Sequence, residues 1–217
     1  MRRPGGIPAP AVRRLSLYLR QLEALLAEGR RTVSSRQLGD ALGLSDAQVR
    51  KDLAYFGQFG HPGIGYRVDE LIVRVRRILG TDRVWKVLLV GAGNLGRALL
   101  SYRGFSKKGF NIVAVFDNDE RIIGKTVEGK GSSVVLPMSD LAATIKKRGI
   151  HLGILAVPSA SAQDVADRMI AAGVRGILNF APVTLRKTQC ALSAVDLAVH
   201  LEQLSFQISA GESKPTQ

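Results

Sequence analysis

The stretch KVLLVGAGNLGRALL, residues 86–100, restricts the fold more than any other part of the chain. A run of apolar residues leads into Gly91, Gly93 and Gly96, and an apolar helical pattern follows directly. This order predicts a strand, a tight turn and a helix, in which Gly91 permits the turn, Gly93 allows a pyrophosphate to approach, and Gly96 allows the helix to pack on the strand. The predicted cofactor-binding loop consists of Gly91, Ala92, Gly93, Asn94, Leu95 and Gly96.

An acidic residue follows at the position where a ribose would be recognised. Asp117 ends the next predicted strand, NIVAVFDND, and stands 21 residues after Gly96. A carboxylate there accepts hydrogen bonds from ribose hydroxyls and disfavours a 2′-phosphate, so NAD(H) is predicted over NADP(H), with Arg121 as the one opposing feature. Two alternatives stay open: another nucleotide such as coenzyme A, or a glycine-rich turn that binds nothing.

From residue 84 onward, apolar segments alternate with helical patterns. Strands of this kind belong to a parallel sheet covered on both faces, and the predicted class is α/β with a Rossmann-like doubly wound sheet. Helices are predicted over 139–148, 162–172 and 193–209. Ligands of such sheets bind where strands end. The strand-end residues predicted to contact the cofactor are Val157, Pro158, Asn179 and Phe180; each proline is equally well explained as a strand terminator.

The first 80 residues have a different pattern. A leucine stripe predicts a helix over 12–27, and Ser34 with Gln37 and Ser45 with Gln48 match capping boxes that begin two short helices. This is a helix-turn-helix pattern. Its second helix is predicted to direct several polar residues away from the core: Asp46, Gln48, Arg50, Lys51 and Asp52. The glycine-rich segment GQFGHPGIGYRV, residues 57–68, predicts a β-hairpin wing.

Charge supports a polyanionic partner. The formal net charge is +13, and the first 85 residues contain 14 arginines but one lysine. Arginine makes forked contacts to phosphate and guanine, so this half is predicted to bind DNA, although arginine-rich codon usage would give the same bias. Cys190 is the only cysteine, which excludes an intrachain disulfide or a cysteine-cluster metal site. No membrane-length apolar run or signal peptide is visible, and a cytoplasmic location is expected.

Features of a catalytic site are sparse. No Tyr-x-x-x-Lys motif occurs in the second half, and 35 residues follow the NFAP segment that ends at Pro182, too few for a substrate domain. A domain that binds its cofactor without turning it over is therefore expected, with no catalytic residues. The alternative is a small NAD-dependent oxidoreductase with an appended interaction domain.

The combination resembles the Rex family of bacterial redox-sensing transcriptional repressors. The resemblance covers residues 12–209, and its most specific segments are QVRKDLAYFGQFG, GIGY, VGAGNLGRAL, GILNFAP and VDLAVHLEQLSF. It implies a homodimer that binds an inverted-repeat operator when NAD⁺ is abundant and releases it when NADH rises. It also implies three parts: a winged-helix domain over 1–80, a Rossmann domain over 81–192, and a domain-swapped helix and tail over 193–217.

The same resemblance assigns residues. It implies DNA contacts in the major groove from the second helix of the motif and further contacts from the wing. The predicted DNA-binding residues are Ser45, Gln48, Arg50, Lys51, Tyr66 and Arg67. A switch is implied for Arg20, Tyr102 and Asp196. Leu197 stands where some family members have an aromatic residue, which bears on how closely the nicotinamide is held.

Overall fold

The computed structural model describes residues 7–61, 63–127, 133–186 and 188–212. It divides into two compact units between Val84 and Trp85. The first boundary predicted from the sequence lies four residues earlier, at Gly80, the left-handed residue that caps the last helix of the first unit. Residue 62 of the predicted wing and the tail after 212 lie outside the described residues.

The first unit is a small helical domain with one two-stranded sheet. Its elements are α1 (Ala9–Ala27), β1 (Thr32–Val33), α2 (Ser35–Asp40), α3 (Asp46–Ala54), β2 (Tyr66–Arg67) and α4 (Val68–Leu79). Most of the predicted leucine stripe of α1 is buried against α3 and α4, and Leu15, Leu22 and Val75 are fully shielded from solvent. Leu26, the last leucine of the predicted stripe, is 47% exposed. This core holds α2 and α3 in the predicted helix-turn-helix arrangement.

The wing differs from the predicted hairpin. β2 pairs antiparallel with β1, which precedes the helix-turn-helix, and among the described residues before β2 the glycine-rich segment forms an isolated bridge between His61 and Gly65. Gly65 has φ +86°, and a Cβ there would come within 2.6 Å of the Val33 carbonyl oxygen. Gly65 is required because its backbone lies close to that of Val33. The many glycines of this segment also leave few side chains to stabilise a longer hairpin.

The second unit is a seven-stranded sheet with helices on both faces. Its elements are β3 (Trp85–Val90), α5 (Asn94–Ser101), α6 (Arg103–Lys107), β4 (Phe110–Asp117), β5 (Thr126–Val127), β6 (Ser133–Pro137), a 3₁₀ turn (Met138–Asp140), α7 (Leu141–Arg148), β7 (Leu152–Leu155), α8 (Ser159–Ala171), β8 (Gly176–Asn179), β9 (Ala191–Ala194) and α9 (Leu197–Glu212). The strand order is β5-β6-β4-β3-β7-β8-β9, and every pairing except β5–β6 is parallel. This is the doubly wound order, and the direction of winding reverses beside β3.

Alternate residues of β3 supply the two cores of this unit. Leu88 and Val90 face α7 and α8, whereas Val87 and Leu89 pack on the face that carries α5. All four are at least 96% buried. The near-continuous apolar strand expected of a covered parallel sheet is therefore confirmed.

The predicted end of the fold needs a correction. Residues 193–209 were expected to form one helix, but Ser193 and Ala194 lie in β9, where they align with Leu178 and Asn179 of β8. The helix begins at Leu197 and ends at Glu212. Backbone pairing at the edge of the sheet outweighs the helical apolar spacing that continues upstream into this strand. No described helix is long and apolar enough to span a membrane.

Candidate nucleotide site and DNA interface

The three glycines of the motif are needed for different structural reasons. Gly91 has φ +98°, and a Cβ there would lie 2.3 Å from the carbonyl oxygen of Ala156. A Cβ on Gly96 would lie 1.9 Å from the carbonyl oxygen of Gly91, so both positions are required by the protein's own backbone. Gly93 has an ordinary φ of −68°, and a Cβ added there would meet no atom of the described chain within 4 Å. Space is therefore left at Gly93 alone, on the exposed rim of the turn.

The helix after the turn offers amides to an anion. Gly93 is the N-cap of α5 and has no side chain to satisfy the first-turn N–H groups. These amides and the helix dipole together favour a phosphate. Asn94 and Leu95 are exposed in this first turn, while the Asn94 amide oxygen accepts a hydrogen bond from Arg97 at 2.9 Å.

Asp117 lies at the end of β4 and holds the glycine turn in place. Its Oδ2 accepts a hydrogen bond from the Ala92 N–H at 2.6 Å, and its Oδ1 accepts from Asn118 and Asp119 at 2.7 and 3.0 Å. A carboxylate offers about four acceptor positions, so capacity remains for a hydroxyl. The backbone contact to Ala92 was not predicted from the motif, because nothing in the spacing shows which lone pairs the protein itself uses.

Arg121, the feature that opposed the NAD(H) prediction, is paired locally. Its guanidinium donates to both carboxylate oxygens of Asp119, at 2.8–3.2 Å. Hydrogen bonds from the side chain and backbone of Arg121 lower the pKa of Asp119 to about 2. The charge that could have attracted a 2′-phosphate is thus already balanced by a neighbouring carboxylate.

The second strand end borders the glycine turn through Val157. If Gly91 carried a Cβ, that atom would lie 3.2 Å from Cγ1 of Val157, so this side chain lies directly against the turn. Pro158 follows as the N-cap of α8. Asn179 is 2% exposed, and its amide bonds to Ala181 and Val183 within the NFAP turn. It therefore shapes this strand end from inside, and Phe180 beside it remains half-buried.

Tyr102 lies between α5 and α6 and is 60% exposed. Its ring meets Phe105 edge-on, with 5.1 Å between centroids. Both residues line a cavity of about 250 Å³ that also includes Arg103 and Asn111.

The second helix of the helix-turn-helix, α3, requires a correction at Asp52. This residue was expected on the solvent face but has no exposed surface. Arg14 donates to both of its oxygens at 2.5 and 2.8 Å, and Tyr18 donates its hydroxyl at 2.7 Å. Helical spacing contained the signal, because position 52 falls between Val49 and Phe56 on the apolar side of α3.

Only one of the two hydrogen bonds of the capping box predicted for α3 is present. The Ser45 hydroxyl accepts from the Gln48 N–H at 3.2 Å, which caps the helix. The Gln48 side chain does not return to Ser45 but donates to Asp52 at 2.8 Å. At α2 both halves of the box are present, between Ser34 and Gln37.

The remaining predicted DNA contacts differ in exposure. Arg50 and Lys51 are exposed, and Arg50 pairs with Asp46 at 2.6 Å. Arg67 is exposed and pairs with Glu70 at 3.2 Å. Tyr66 is a core residue, 8% exposed, and burial raises the pKa of its phenol. Its side chain supports the junction of β1 and β2 and leaves little surface for a partner.

The last helix exposes its apolar residues. Leu201 is 67% and Phe206 73% exposed, and the neighbouring apolar side chains of α9 are exposed as well. Asp196 precedes the helix, and its Oδ1 accepts from the N–H groups of Ala198 and Val199 at 3.0 and 3.3 Å. Asp196 is therefore a helix cap, which the resemblance did not imply.

Cys190 is buried, and burial raises the pKa of its thiol, which keeps it protonated at neutral pH. Within the described ranges, no cluster of three or more His, Cys, Asp or Glu residues could hold a metal ion.

Known proteins resemble both units. A family model described as "CoA binding domain" matches residues 82–183, and one described as "Putative DNA-binding protein N-terminus" matches residues 6–54. Among solved structures, the complex of RSP with β-NAD⁺ and operator DNA has a TM-score of 0.90 at 36% identity, covering 95% of this chain and 94% of that one. The complex of RSP with β-NADH has a TM-score of 0.84 at 34% identity, covering 95% and 96%.

Curated relatives match over almost their full length. The redox-sensing transcriptional repressor Rex of Carboxydothermus hydrogenoformans is 49% identical over 93% of this chain and 96% of the relative. The protein of the same name from Desulforamulus reducens is 47% identical over 95% and 97%. With relatives this similar across both units, the chain belongs to the Rex family of redox-sensing transcriptional repressors.

Proposed function

We propose that this protein is a homodimeric repressor that binds an inverted-repeat operator and is released when NADH replaces NAD⁺. The observation that carries the proposal is the turn at Gly93, which leaves uncapped helix amides and open space beside the Asp117 carboxylate. A pyrophosphate fits the amides and a ribose hydroxyl fits the carboxylate. RSP, which is similar over 95% of this chain, has been solved with β-NAD⁺ and operator DNA and with β-NADH.

The exposed face of α3 is the proposed DNA-reading surface. Ser45, Gln48, Arg50 and Lys51 lie on or at the start of this helix, and the first residues of such a helix meet base edges in the major groove. Arg67 would contact the phosphate backbone from the wing. Tyr66 is left out of the contact surface because its ring belongs to the core.

The cofactor would lie along the glycine turn and the ends of β7 and β8. The contacts proposed for it come from Gly91–Gly96, Asp117, Val157, Pro158 and Phe180, while Asn179 holds the turn from behind. The pairing of Arg121 with Asp119 supports NAD(H) over NADP(H). Because one family model is named for coenzyme A, that ligand is the second candidate.

Two apolar surfaces of the second unit support dimerisation. One is the exposed side of α9. The other is a cavity of about 340 Å³ on the sheet face that carries α5 and α6, lined by Val87, Phe105, Phe110, Ile112, Leu152 and Leu178. Contiguous exposed apolar patches mark contact surfaces. Exchange of α9 between two copies would cover the apolar side of this helix.

The switch is proposed to depend on Arg20, Tyr102 and Asp196. Oxidised nicotinamide carries a positive charge and reduced nicotinamide does not, so an apolar pocket beside Phe180 favours the reduced ring. Binding of the neutral ring would change the pairing of Asp196 with Arg20 or Tyr102 and shift the DNA-binding units. Asp196→Asn keeps an N-cap acceptor but removes the charge, whereas Asp196→Ala removes both.

If charge drives the switch, both Asp196 variants lose the NADH response while Asp196→Asn keeps wild-type helicity. If Asp196→Ala still loses DNA binding on addition of NADH as the wild type does, the proposed switch is wrong.

We further propose that the protein acts in the cytoplasm and does not turn its cofactor over. Steady consumption of NADH with any member of a panel of small carbonyl compounds would contradict the second statement.

The ligand is tested by calorimetric titration of the full-length protein with NADH, NAD⁺, NADPH and coenzyme A. The proposal expects NADH to bind most tightly and both NAD forms to bind more tightly than NADPH. Asp117→Ala should weaken the binding of NADH, although it also removes the hydrogen bond that holds the turn at Ala92. Preferred binding of coenzyme A would refute the NAD(H) assignment and favour the second candidate.

A further inference from the structure

Gln48 and Asp52 form a fixed pair on α3. The Nε2 of Gln48 donates to Oδ1 of Asp52 at 2.8 Å, one helical turn away. Asp52 itself is immobilised, because Arg14 and Tyr18 of α1 also donate to it and it has no exposed surface. Gln48 is held at its other end as well, since its backbone N–H donates to the Ser45 cap. The position and the side chain of Gln48 are thus both set by the protein.

The orientation of the Gln48 amide follows from the charge of its partner. Burial opposes ionisation of Asp52 most strongly, but the hydrogen bonds from Arg14, Tyr18 and Gln48 together outweigh it and lower the pKa of this carboxyl. An ionised carboxylate accepts hydrogen bonds and donates none. The amide nitrogen must therefore face Asp52, and the Oε1 of Gln48 must point the other way.

We propose that Asp52 is a positioning residue that makes Gln48 specific for adenine in the operator. This inference rests on the proposed function. With one N–H held by Asp52, Gln48 keeps its carbonyl oxygen and its second N–H, which are the acceptor and donor that match adenine N6 and N7 in the major groove. Guanine presents two acceptors, O6 and N7, and does not match this pair. Gln48 is the third residue of α3, within the part of a recognition helix that meets bases.

The test uses the full-length protein with NAD⁺ at fixed salt and a pool of duplexes whose inverted-repeat half-site is randomised. Wild-type protein should select adenine at one half-site position by roughly tenfold or more. Gln48→Leu should lose that preference. Asp52→Asn should weaken it, because an asparagine amide accepts or donates and allows the Gln48 amide to turn over. Gln48→Leu alters no charge, so its effect should fall on the base preference and not on the slope of affinity against salt, which counts phosphate contacts.

The chain contains a matched control pair on α8. Gln163 donates its Nε2 to Oδ1 of Asp167 at 2.8 Å, again one turn away, and Arg186 pairs with that aspartate. Gln163→Leu and Asp167→Asn should leave every base preference as in the wild type. They report what the same chemical changes do away from α3.

Asp52→Asn could unfold the domain, so the amide orientation is also measured in the wild type by NMR. One of the two Gln48 Nε2 protons should exchange slowly and resonate downfield, and two rapidly exchanging protons would overturn the proposed positioning. Retention of every adenine preference by Gln48→Leu would overturn the inference alone. A wild-type protein without any sequence preference would refute the proposed function together with it.

Discussion

Replacement of Gly93 by alanine separates binding from folding. The backbone at Gly93 has φ −68° and ψ −166°, which alanine adopts without strain, and a Cβ there meets no described atom within 4 Å. Gly→Ala at a compatible position stabilises by about 0.4–1 kcal/mol through the unfolded state, so Gly93→Ala should not lower the free energy of unfolding. The added methyl group instead occupies space that a pyrophosphate needs.

The expected loss of NADH affinity follows from the hydrogen bonds at risk. A hydrogen bond to a charged group contributes about 1.5–3 kcal/mol, so displacement of the phosphate from one amide of α5 should weaken NADH roughly 10- to 100-fold. Calorimetric titration measures this affinity, and urea unfolding followed by circular dichroism measures stability. Wild-type NADH affinity in Gly93→Ala would refute the placement of the pyrophosphate at this turn.

Gly149 provides the matched control. It caps α7 with φ +62°, and no described atom lies within 4 Å of its Cβ position. Alanine there is strained by roughly 1–2 kcal/mol. Gly149→Ala should therefore lower stability and leave NADH affinity unchanged, the reverse of Gly93→Ala.

Three further predictions concern charge, redox chemistry and assembly. The pKa of Asp52 is lowered in the folded protein, so the stabilisation from its charge is present above about pH 4 and is lost as pH falls through the folded pKa. Asp52→Asn should therefore lower the free energy of unfolding by about 3 kcal/mol at pH 7 and by less at pH 3. An equal loss at both pH values would contradict the ionised pair. Cys190→Ala should respond to NADH as the wild type does in operator-binding assays, and a lost response would show that the thiol participates. Phe206→Glu should shift the protein from dimer to monomer in sedimentation equilibrium, whereas an unaltered dimer would exclude α9 from the interface.

The sequence pattern predicted the elements that local spacing determines. The glycine turn, the strand that ends at Asp117 and the two helix caps at Ser34 and Ser45 depend on residues close together in the chain. Each has a stereochemical requirement that few residue types meet. The predicted helix-turn-helix and doubly wound sheet are confirmed for the same reason.

The misjudged residues depend on partners far away in sequence. Asp52 is buried because Arg14 and Tyr18, 38 and 34 residues earlier, supply its donors. Ser193 lies in a strand because β8 offers an edge with which it pairs. Tyr66 packs in the core because β2 meets β1, and the short wing follows from the same pairing. The spacing along α3 places position 52 on its apolar side, but no local pattern shows which distant residues are the partners.

The redox state of the bound cofactor is proposed to control DNA binding. This control is tested most directly by measuring, at fixed salt, the fraction of an inverted-repeat operator duplex bound while total NADH plus NAD⁺ stays constant and their ratio is varied. Full binding is expected in NAD⁺, with progressive release as the NADH share rises and recovery when NAD⁺ is restored. Equal binding at every ratio would contradict it.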